Sequence, residues 1–466
     1  MGREVLSPRV RLTIILFSAV VCTTLALLPA PEGVPASAYP AIALILFTVS
    51  MWASTALPEY VAALVFFSIA SVSAIASPTA IFAGFQSSAL WLVFGGLVIG
   101  AAADRTGLGL WVAQGAFRHV GSSYASLIFA ILLSSLALSV IVPSSVGRIA
   151  IVLPPVMAIA RQAGYPKSSN AFVGTVVAAV FGNYLMGQGF LPGNLVNILL
   201  VGTMGTMYGL EVSYGEYLVL NLPIIAVLRG VLVGVLVYWF FKPDNPGKPI
   251  TSENFQPLKD EGRKVLVIIM FALFIWSTDF IHGIAAGWIA LIAAVICMLP
   301  GINLVPSKLF VDKINMVTVL FVAALLGIGP VLVESGGGLL LRDVITNLAG
   351  WKDQSPAYGF YAVSLVSFLT ALVSNVSASL AIVTPTAVDL ADATGLPLKT
   401  AALAQLNGLS SVVFPYQALP IMVGLAMGGV PMIKVVKYSV ALAGIGLFLL
   451  TPLNFYYWRA LGYIPG

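Results

Sequence analysis

The stretch Ala150–Pro154, AIVLP, returns later in the chain as Ala381–Pro385, AIVTP. The match continues at identical spacing through a glycine and a proline that follow each copy: Gly164 and Pro166, then Gly395 and Pro397. Self-similarity of this kind indicates a duplicated structural unit. The fold is therefore expected to contain the same local arrangement twice.

The composition predicts that the unit lies in a membrane. Of 466 residues, 59% are hydrophobic and 8% are charged, whereas soluble proteins average about 25% charged residues. Apolar runs that can cross a bilayer, roughly 20 residues as helix, recur from one end to the other. We predict an all-α polytopic membrane protein with about eleven transmembrane helices. The predicted spans are 12–28, 38–57, 60–76, 87–103, 170–207, 217–241, 265–280, 283–299, 315–333, 400–427 and 435–453, of which the fifth and the tenth are broken.

Two further apolar segments, 125–161 and 361–393, are interrupted midway by small polar residues. We interpret them as re-entrant hairpins, each entering and leaving on one side. With a cytoplasmic N-terminus, the basic residues of the short loops then collect mostly inside, as the positive-inside rule requires. The exceptions are Arg342, Lys352 and Lys399. Counting either hairpin as a full crossing would scramble this pattern.

The order hairpin, broken helix and final helix occurs twice, and an odd number of crossings separates the copies, so the repeat is expected to be inverted. The predicted parts are a first scaffold part at 1–121, a first transport-domain half at 122–241, a cytoplasmic linker at 242–263, a second scaffold part at 264–357 and a second transport-domain half at 358–466. Inverted repeats with broken helices are typical of secondary transporters.

The hairpin tips read VPSSVGR at 142–148 and VSNVSAS at 373–379. Non-helical backbone at membrane depth is tolerated where it is buried in protein or lines a polar cavity. Hydroxyl and carbonyl oxygens at such tips can replace the hydration shell of Na⁺, while helix N-termini with Ser or Asn donors favour a carboxylate or another oxyanion. The alternative is that Ser and Asn only cap short helices; their presence in both halves favours a binding site.

At these tips, and at the proline-containing breaks that follow them, the chain resembles the divalent anion/sodium symporters, which include dicarboxylate and citrate carriers. The resemblance covers nearly the whole chain. That family typically carries Ser-Asn-Thr at each tip; Ser374–Val376 matches two of these positions and Ser144–Val146 matches one. The resemblance implies an elevator-type carrier, usually a homodimer. Because both Thr positions are Val here and the first Asn is Ser, the substrate and the coupling ion stay open.

The tips and breaks supply the candidate site residues. For the substrate they are Ser144, Ser145, Arg148, Asn194, Ser374, Asn375, Val376, Gln417 and Pro420. For a coupling ion, with Na⁺ at the hairpin tips as the candidate, they are Ser144, Ser145, Gly147, Gly189, Asn194, Ser374, Asn375, Ser377 and Ala418. We expect no other cofactor.

Two arginines lie in predicted intramembrane segments. The planar fork of Arg148 suits a carboxylate, and an ionised residue at membrane depth is a functional candidate; a snorkelling or purely structural role is its alternative. If Arg148 faces the site, its charge would compete with Na⁺ at the first tip and favour anion exchange. Arg229, in the sixth span, could partner an acidic group, backbone carbonyls or a water-filled gap.

These features predict a secondary active carrier of small divalent organic anions, di- or tricarboxylates, working by sodium symport or anion exchange in a bacterial inner membrane. Its partners would be the anion, the lipid bilayer and a second copy of the chain, with no nucleic acid. An inorganic oxyanion carrier for sulfate is the alternative. A channel and a sodium/proton antiporter are less favoured, the latter because no carboxylate lies securely in a span. Cys22 and Cys297 lack metal-like spacing, and no paired carboxylates suggest an enzyme.

Overall fold

The computed structural model describes residues 7–117, 123–243, 248, 257–338, 340 and 355–465. Every regular element in these ranges is helical, so the prediction of an all-α chain is confirmed. The predicted boundary at 121/122, most of the predicted linker, Arg342 and Lys352 lie outside the described residues.

The first part of the chain forms five helices. They are α1 (Pro8–Ala26), α2 (Ala38–Ser54), α3 (Glu59–Val72), α4 (Ser88–Thr106) and α5 (Leu108–Phe117), with short helical turns at Pro78–Ile81 and Ala83–Gln86 before α4. None of the side chains of α1 is buried, and this helix packs on α2. An apolar helix with such an exposed surface needs lipid as its solvent.

The first hairpin and its broken helix follow. The elements are α6 (Tyr124–Ile141), α7 (Ser145–Gln162), α8 (Asn170–Met186), α9 (Leu195–Tyr208) and α10 (Tyr214–Phe240). Helices α6 and α7 pack on each other and on α8. Helix α10 contains a π-helical segment, Leu222–Leu228. Pro223 lacks an N–H, and this disturbs the regular α-helical ladder where the π segment begins.

Three long helices form the next part: α11 (Asp260–Ser277), α12 (Ala286–Met298) and α13 (Met316–Glu334), with short helices at Asp279–His282 and Ser307–Lys313. Helix α11 begins at Asp260, within the residues 242–263 that were predicted as a linker. Asp260 and Glu261 occupy the first turn of α11, where the positive end of the helix dipole favours carboxylates.

The second hairpin, broken helix and final helix repeat the earlier order. They are α14 (Pro356–Val373), α15 (Val376–Thr394), α16 (Leu398–Leu409), α17 (Leu419–Met427) and α18 (Val436–Ala460). Helix α15 tightens into a 3₁₀ turn at Thr384–Thr386, around the repeated Pro385, whereas α7 continues through Pro154. Helix α18 has its own π segment, Gly446–Leu450, so both final helices carry one.

In the described ranges, nine helices are long and apolar enough to cross a bilayer. Three of them are hairpin arms, Tyr124–Ile141, Pro356–Val373 and Val376–Thr394, and the others coincide with predicted spans. The remaining predicted spans match α2, α3, α11, α12 and the pair α16 and α17. The chain is therefore an integral, polytopic membrane protein.

The two repeated units contact each other directly. Helix α9 packs on α15 and α16, and the indole N–H of Trp458 donates to the carbonyl of Leu220 at 3.0 Å. Lys399, one of the exceptions to the charge pattern, pairs with Glu216 at 2.6 Å. This basic residue therefore has a local partner that offsets its unfavourable place in the predicted topology.

Candidate functional site

The first tip lies between α6 and α7. The Ser144 hydroxyl caps α7 by accepting from the Gly147 N–H at 3.1 Å. The Ser145 hydroxyl donates to the Gly193 carbonyl at 3.5 Å. Because Gly193 belongs to the break between α8 and α9, the first tip touches the first break.

Arg148 lies behind this tip and is fully buried. Its Nη1 donates to the Val142 carbonyl at 2.7 Å, and its Nη2 donates to the Asn183 carbonyl at 2.7 Å and to the Ser145 hydroxyl at 3.1 Å. Val142 ends α6 and Asn183 lies in the last turn of α8. The guanidinium is therefore stabilised by carbonyl groups at the C-terminal ends of two helices, and it ties the tip to the break.

The first break runs from Gly187 to Asn194 through two 3₁₀ turns. A β-carbon on Gly187 would meet the Arg148 guanidinium and would lie 2.8 Å from the Gly193 carbonyl oxygen. Gly189 packs on the π segment of α10, where a β-carbon would lie 2.5 Å from that of Ala226. Asn194 caps α9 through the Val196 N–H at 3.3 Å. Gly187 and Gly189 are therefore explained by neighbouring groups that come too close to the backbone to leave room for a side chain.

Further buried polar side chains around the first break were not among the predicted site residues. Asn183, Gln188 and Asn197 are fully buried. Each has a side-chain oxygen without a hydrogen-bond partner among the described groups, and the Gln188 amide nitrogen also lacks one. Unpaired buried oxygens are costly unless an ion, a ligand or water satisfies them. The signal in the sequence was Asn and Gln inside an apolar span.

The second tip lies between α14 and α15. Asn375 caps α15 by accepting from the Ala378 N–H at 2.9 Å, and its Nδ2 donates to the Trp52 carbonyl of α2 at 3.3 Å. The Ser374 hydroxyl donates to the Thr370 carbonyl at 2.7 Å. Val376 is buried, while Ser377 is partly exposed. The second tip therefore rests on a helix of the first part of the chain.

The second break joins α16 to α17. The Gln417 Oε1 accepts from the backbone N–H groups of Val413 and Phe414 at 2.8 and 2.7 Å, so this oxygen shapes the break locally. Ala418 precedes α17 and offers no side-chain cap. The first backbone N–H groups of α17 are thus free of side-chain capping, with Pro420 in the first turn.

Four helices begin at these tips and breaks: α7, α9, α15 and α17. Helix α7 packs on α17, and α9 packs on α15. Each helix N-terminus carries partial positive charge and unpaired N–H groups, which together favour an anion. The predicted tip residues and Asn194 are therefore brought to helix N-termini, while Arg148, Gly189 and Gln417 are engaged by protein groups around them.

The chain is similar in sequence to known membrane transporters. The sodium:sulfate symporter transmembrane region matches residues 9–464. The sodium-dependent dicarboxylate transporter SdcS of Staphylococcus saprophyticus is 25% identical over 369 residues, covering 72% of this chain and 69% of that protein. An uncharacterized transporter of Haemophilus influenzae is 23% identical over 90% of this chain and 91% of its own.

A solved structure, the YdaH transporter of Alcanivorax borkumensis, aligns with a TM-score of 0.58 over 98% of this chain and 99% of its own at 14% identity, which is evidence of a shared fold. The predicted resemblance is confirmed by the match over nearly the full chain. The chain belongs to the sodium:sulfate symporter family, and it is a membrane transporter rather than an enzyme.

Proposed function

We propose that this transporter is a secondary active carrier of small divalent organic anions, di- or tricarboxylates, working by alternating access. The observation that carries the proposal is the set of four helix N-termini at the tips and breaks. Such termini bind carboxylates through backbone N–H groups and the helix dipole. The name of the staphylococcal relative, a dicarboxylate transporter, supports this substrate class.

In this proposal the substrate lies between the two tips. Ser144, Ser145 and Asn194 would contact it from the first half, and Ser374, Asn375, Val376 and Pro420 from the second. Arg148 and Gln417 act indirectly, because their hydrogen bonds hold the first tip and the second break in shape.

Sodium is the proposed coupling ion. The relative's name supports it, and so do the unpaired oxygens of Asn183, Gln188 and Asn197, which are the neutral oxygen ligands that suit Na⁺. Further backbone or side-chain oxygens are available at the two tips, from Gly147 and Ser377, and at the two breaks, from Gly189 and Ala418. Anion exchange is the second candidate mode, since the charge of Arg148 opposes a cation beside the first tip.

The proposed motion is that of an elevator. The halves 122–241 and 358–466 would move as a unit against the scaffold 1–121 and 264–357, in a homodimer with cytoplasmic N-termini in a bacterial inner membrane. Two hydrogen bonds join the proposed parts: Asn375 donates to the Trp52 carbonyl, and the Tyr214 N–H donates to the Asp279 carboxylate. Both would have to break during movement.

Uptake of radiolabelled succinate into proteoliposomes tests the proposal. We expect saturable uptake that an inward Na⁺ gradient accelerates and that excess succinate inhibits more strongly than excess sulfate. Asn375→Ala should lower uptake by about tenfold or more, while Ser277→Ala, at an exposed hydroxyl, leaves it unchanged. Transport of sulfate alone would establish the oxyanion alternative, and a non-saturating current would contradict a carrier.

A further inference from the structure

Few charges are buried in this protein. Of the charged side chains in the described ranges, Arg148, Arg229 and Asp279 are buried, with at most 7% of their surface exposed. Asp279 lies in the proposed scaffold. The described parts of the two proposed transport-domain halves therefore bury two charges, and both are positive.

Arg229 directly follows the π segment of α10. It is 2% exposed, and its Nε and Nη2 have no hydrogen-bond partner among the described groups. None of the ion pairs between described residues includes it. A guanidinium without a counter-charge in a low-dielectric interior is unfavourable, and a nearby anion would lower that cost.

The guanidinium of Arg229 reaches across to the second half. Its Nη2 lies 3.1 Å, and the Ser411 hydroxyl 3.3 Å, from the point where a β-carbon on Gly446 would be. Ser411 follows α16 and donates to the Asn407 carbonyl in the last turn of that helix at 2.9 Å. Asn454 donates to the Asn407 side chain at 2.9 Å, and its own Oδ1 is unpaired. Arg229 therefore lies near Ser411, at the start of the second break.

Each break thus has a buried arginine near it. Arg148 donates to the Asn183 carbonyl in the last turn of α8, before the first break, and Arg229 lies near Ser411, at the start of the second break. The Nη atoms of Arg148 make three hydrogen bonds to protein acceptors, and its Nε lacks a partner among the described groups. In Arg229 both Nε and Nη2 lack one.

We propose that Arg229 sets the valence of the cargo: together with Arg148 it gives the transport-domain interior two fixed positive charges, which a dianion neutralises. The inference rests on the proposed function. Helix N-termini attract an anion of any valence. The second full positive charge, that of Arg229, favours an anion that has a second carboxylate. Arg229 acts through its field and through the second break, without touching the cargo, and is a positioning residue.

The test compares a dianion with a monoanion of the same skeleton. Fumarate and monoethyl fumarate are titrated into the purified full-length transporter at pH 8, with binding followed by thermal stabilisation. Arg229→Gln should lower the affinity for fumarate by about tenfold or more and the affinity for the monoester by less than about threefold. A tenfold change in affinity corresponds to about 1.4 kcal/mol of binding free energy. Arg229→Lys should restore most of the preference. Arg161→Gln removes an exposed arginine and should change neither.

The proposal would be overturned if Arg229→Gln lowered the affinity for both ligands equally, or lowered neither affinity. If Arg229→Gln does not fold, Arg229→His supplies a titratable charge. The preference of the Arg229→His variant for fumarate over the monoester should fall as pH rises from about 6 to 8.5, because the imidazole loses its proton in that range. The preference of the wild type should stay constant. A constant preference in the His variant, or failure of both variants to fold while Arg229→Lys folds, would contradict the proposal.

The same titration separates the two proposals. A wild-type protein stabilised by no di- or tricarboxylate would contradict the proposed function. A wild-type protein that binds fumarate, with an Arg229→Gln variant that keeps the full preference for it, would contradict the valence role alone.

Discussion

The two hairpin tips have related positions in the repeat but different surroundings. Val142, the first residue of the first tip, is 1% exposed, whereas Val373, the first residue of the second, is 88% exposed. The first tip is tied to its own half by Arg148 through the Val142 and Asn183 carbonyls. The second tip has no such arginine and leans on α2 through Asn375 and the Trp52 carbonyl.

This difference indicates that the two tips have different roles. The internal hydrogen bonds of the first tip move with it, so they can survive a movement of the whole unit. The second tip also has internal hydrogen bonds, but its bond to the Trp52 carbonyl joins it to a helix of the proposed scaffold and must be exchanged when the unit moves. We therefore expect changes at the first tip to lower stability as well as transport, and changes at the second tip to affect mainly transport.

The largest effect is expected from Arg148→Leu. This change leaves the Val142 and Asn183 carbonyls without their donor, and each unsatisfied buried acceptor costs about 1–3 kcal/mol. The free energy of unfolding in detergent should fall by about 2–4 kcal/mol, and succinate uptake should be lost. Arg161→Leu, at an exposed position, is the matched control and should unfold like the wild type. Equal stability of the two variants would show that Arg148 does not brace the tip.

Gly187→Ala should come next. The added methyl group would meet the Arg148 guanidinium and approach the Gly193 carbonyl oxygen at 2.8 Å, and overpacking of this kind costs about 1–3 kcal/mol. In α9, a β-carbon on Gly205 would have its nearest described neighbour at 3.9 Å, so Gly205→Ala should be neutral or slightly stabilising. Thermal unfolding of both variants checks the prediction; a neutral Gly187→Ala would mean that the break is looser than described.

At the second tip, Asn375→Asp separates capping from charge. Aspartate can still accept the Ala378 N–H, so stability should change by less than about 1 kcal/mol. It cannot donate to Trp52 and adds negative charge beside the proposed anion site, so the KM for succinate should rise about tenfold or more. Asn375→Ala should lower stability by about 1 kcal/mol through loss of the cap and raise KM less than Asp does. A KM for the Asp variant below that of the Ala variant would place the anion elsewhere.

The smallest effect is expected from the Glu216–Lys399 pair, which joins the halves away from both tips. Its side chains are 16% and 29% exposed and lie 2.6 Å apart. Glu216→Gln keeps the capping group of α10 but removes the charge. A double-mutant cycle with Lys399→Met should give a coupling of about 0.5–1 kcal/mol, against none for the exposed Arg263–Asp260 pair. A coupling near zero for the first pair would remove it as a link between the halves.

The sequence predicted the helical layout well because spans and interruptions are properties of single segments. The predicted hairpins 125–161 and 361–393 correspond to helices ending at Gln162 and Thr394, and the breaks fall at the Gly- and Pro-containing stretches. Helix α11 begins at Asp260, ahead of the predicted span 265–280, with Asp260 and Glu261 in its first turn, where the helix dipole favours carboxylates.

The site was predicted less completely because burial and pairing depend on segments distant in sequence. Arg148 was predicted as a candidate from its place in an apolar segment, but its acceptors, the Val142 and Asn183 carbonyls, could not be predicted from spacing. The orphaned oxygens of Gln188 and Asn197 depend on how the break packs. The neighbourhood of Arg229 involves Ser411 and Gly446, more than 180 residues away. The π segments had a faint signal in Pro223 and Pro452, prolines inside otherwise regular apolar helices.

Both tips and both breaks are proposed to enclose one anion site. Cysteines placed at Ser144 and at Ser377, each in a Cys22→Ser, Cys297→Ser background, test it by their rate of maleimide labelling in the presence of succinate. Both native residues are partly exposed, so both positions should label. We predict that succinate slows labelling at both positions with the same half-maximal concentration, which also matches the KM for uptake. Protection of one tip alone, or different half-maximal concentrations at the two tips, would contradict a single shared site.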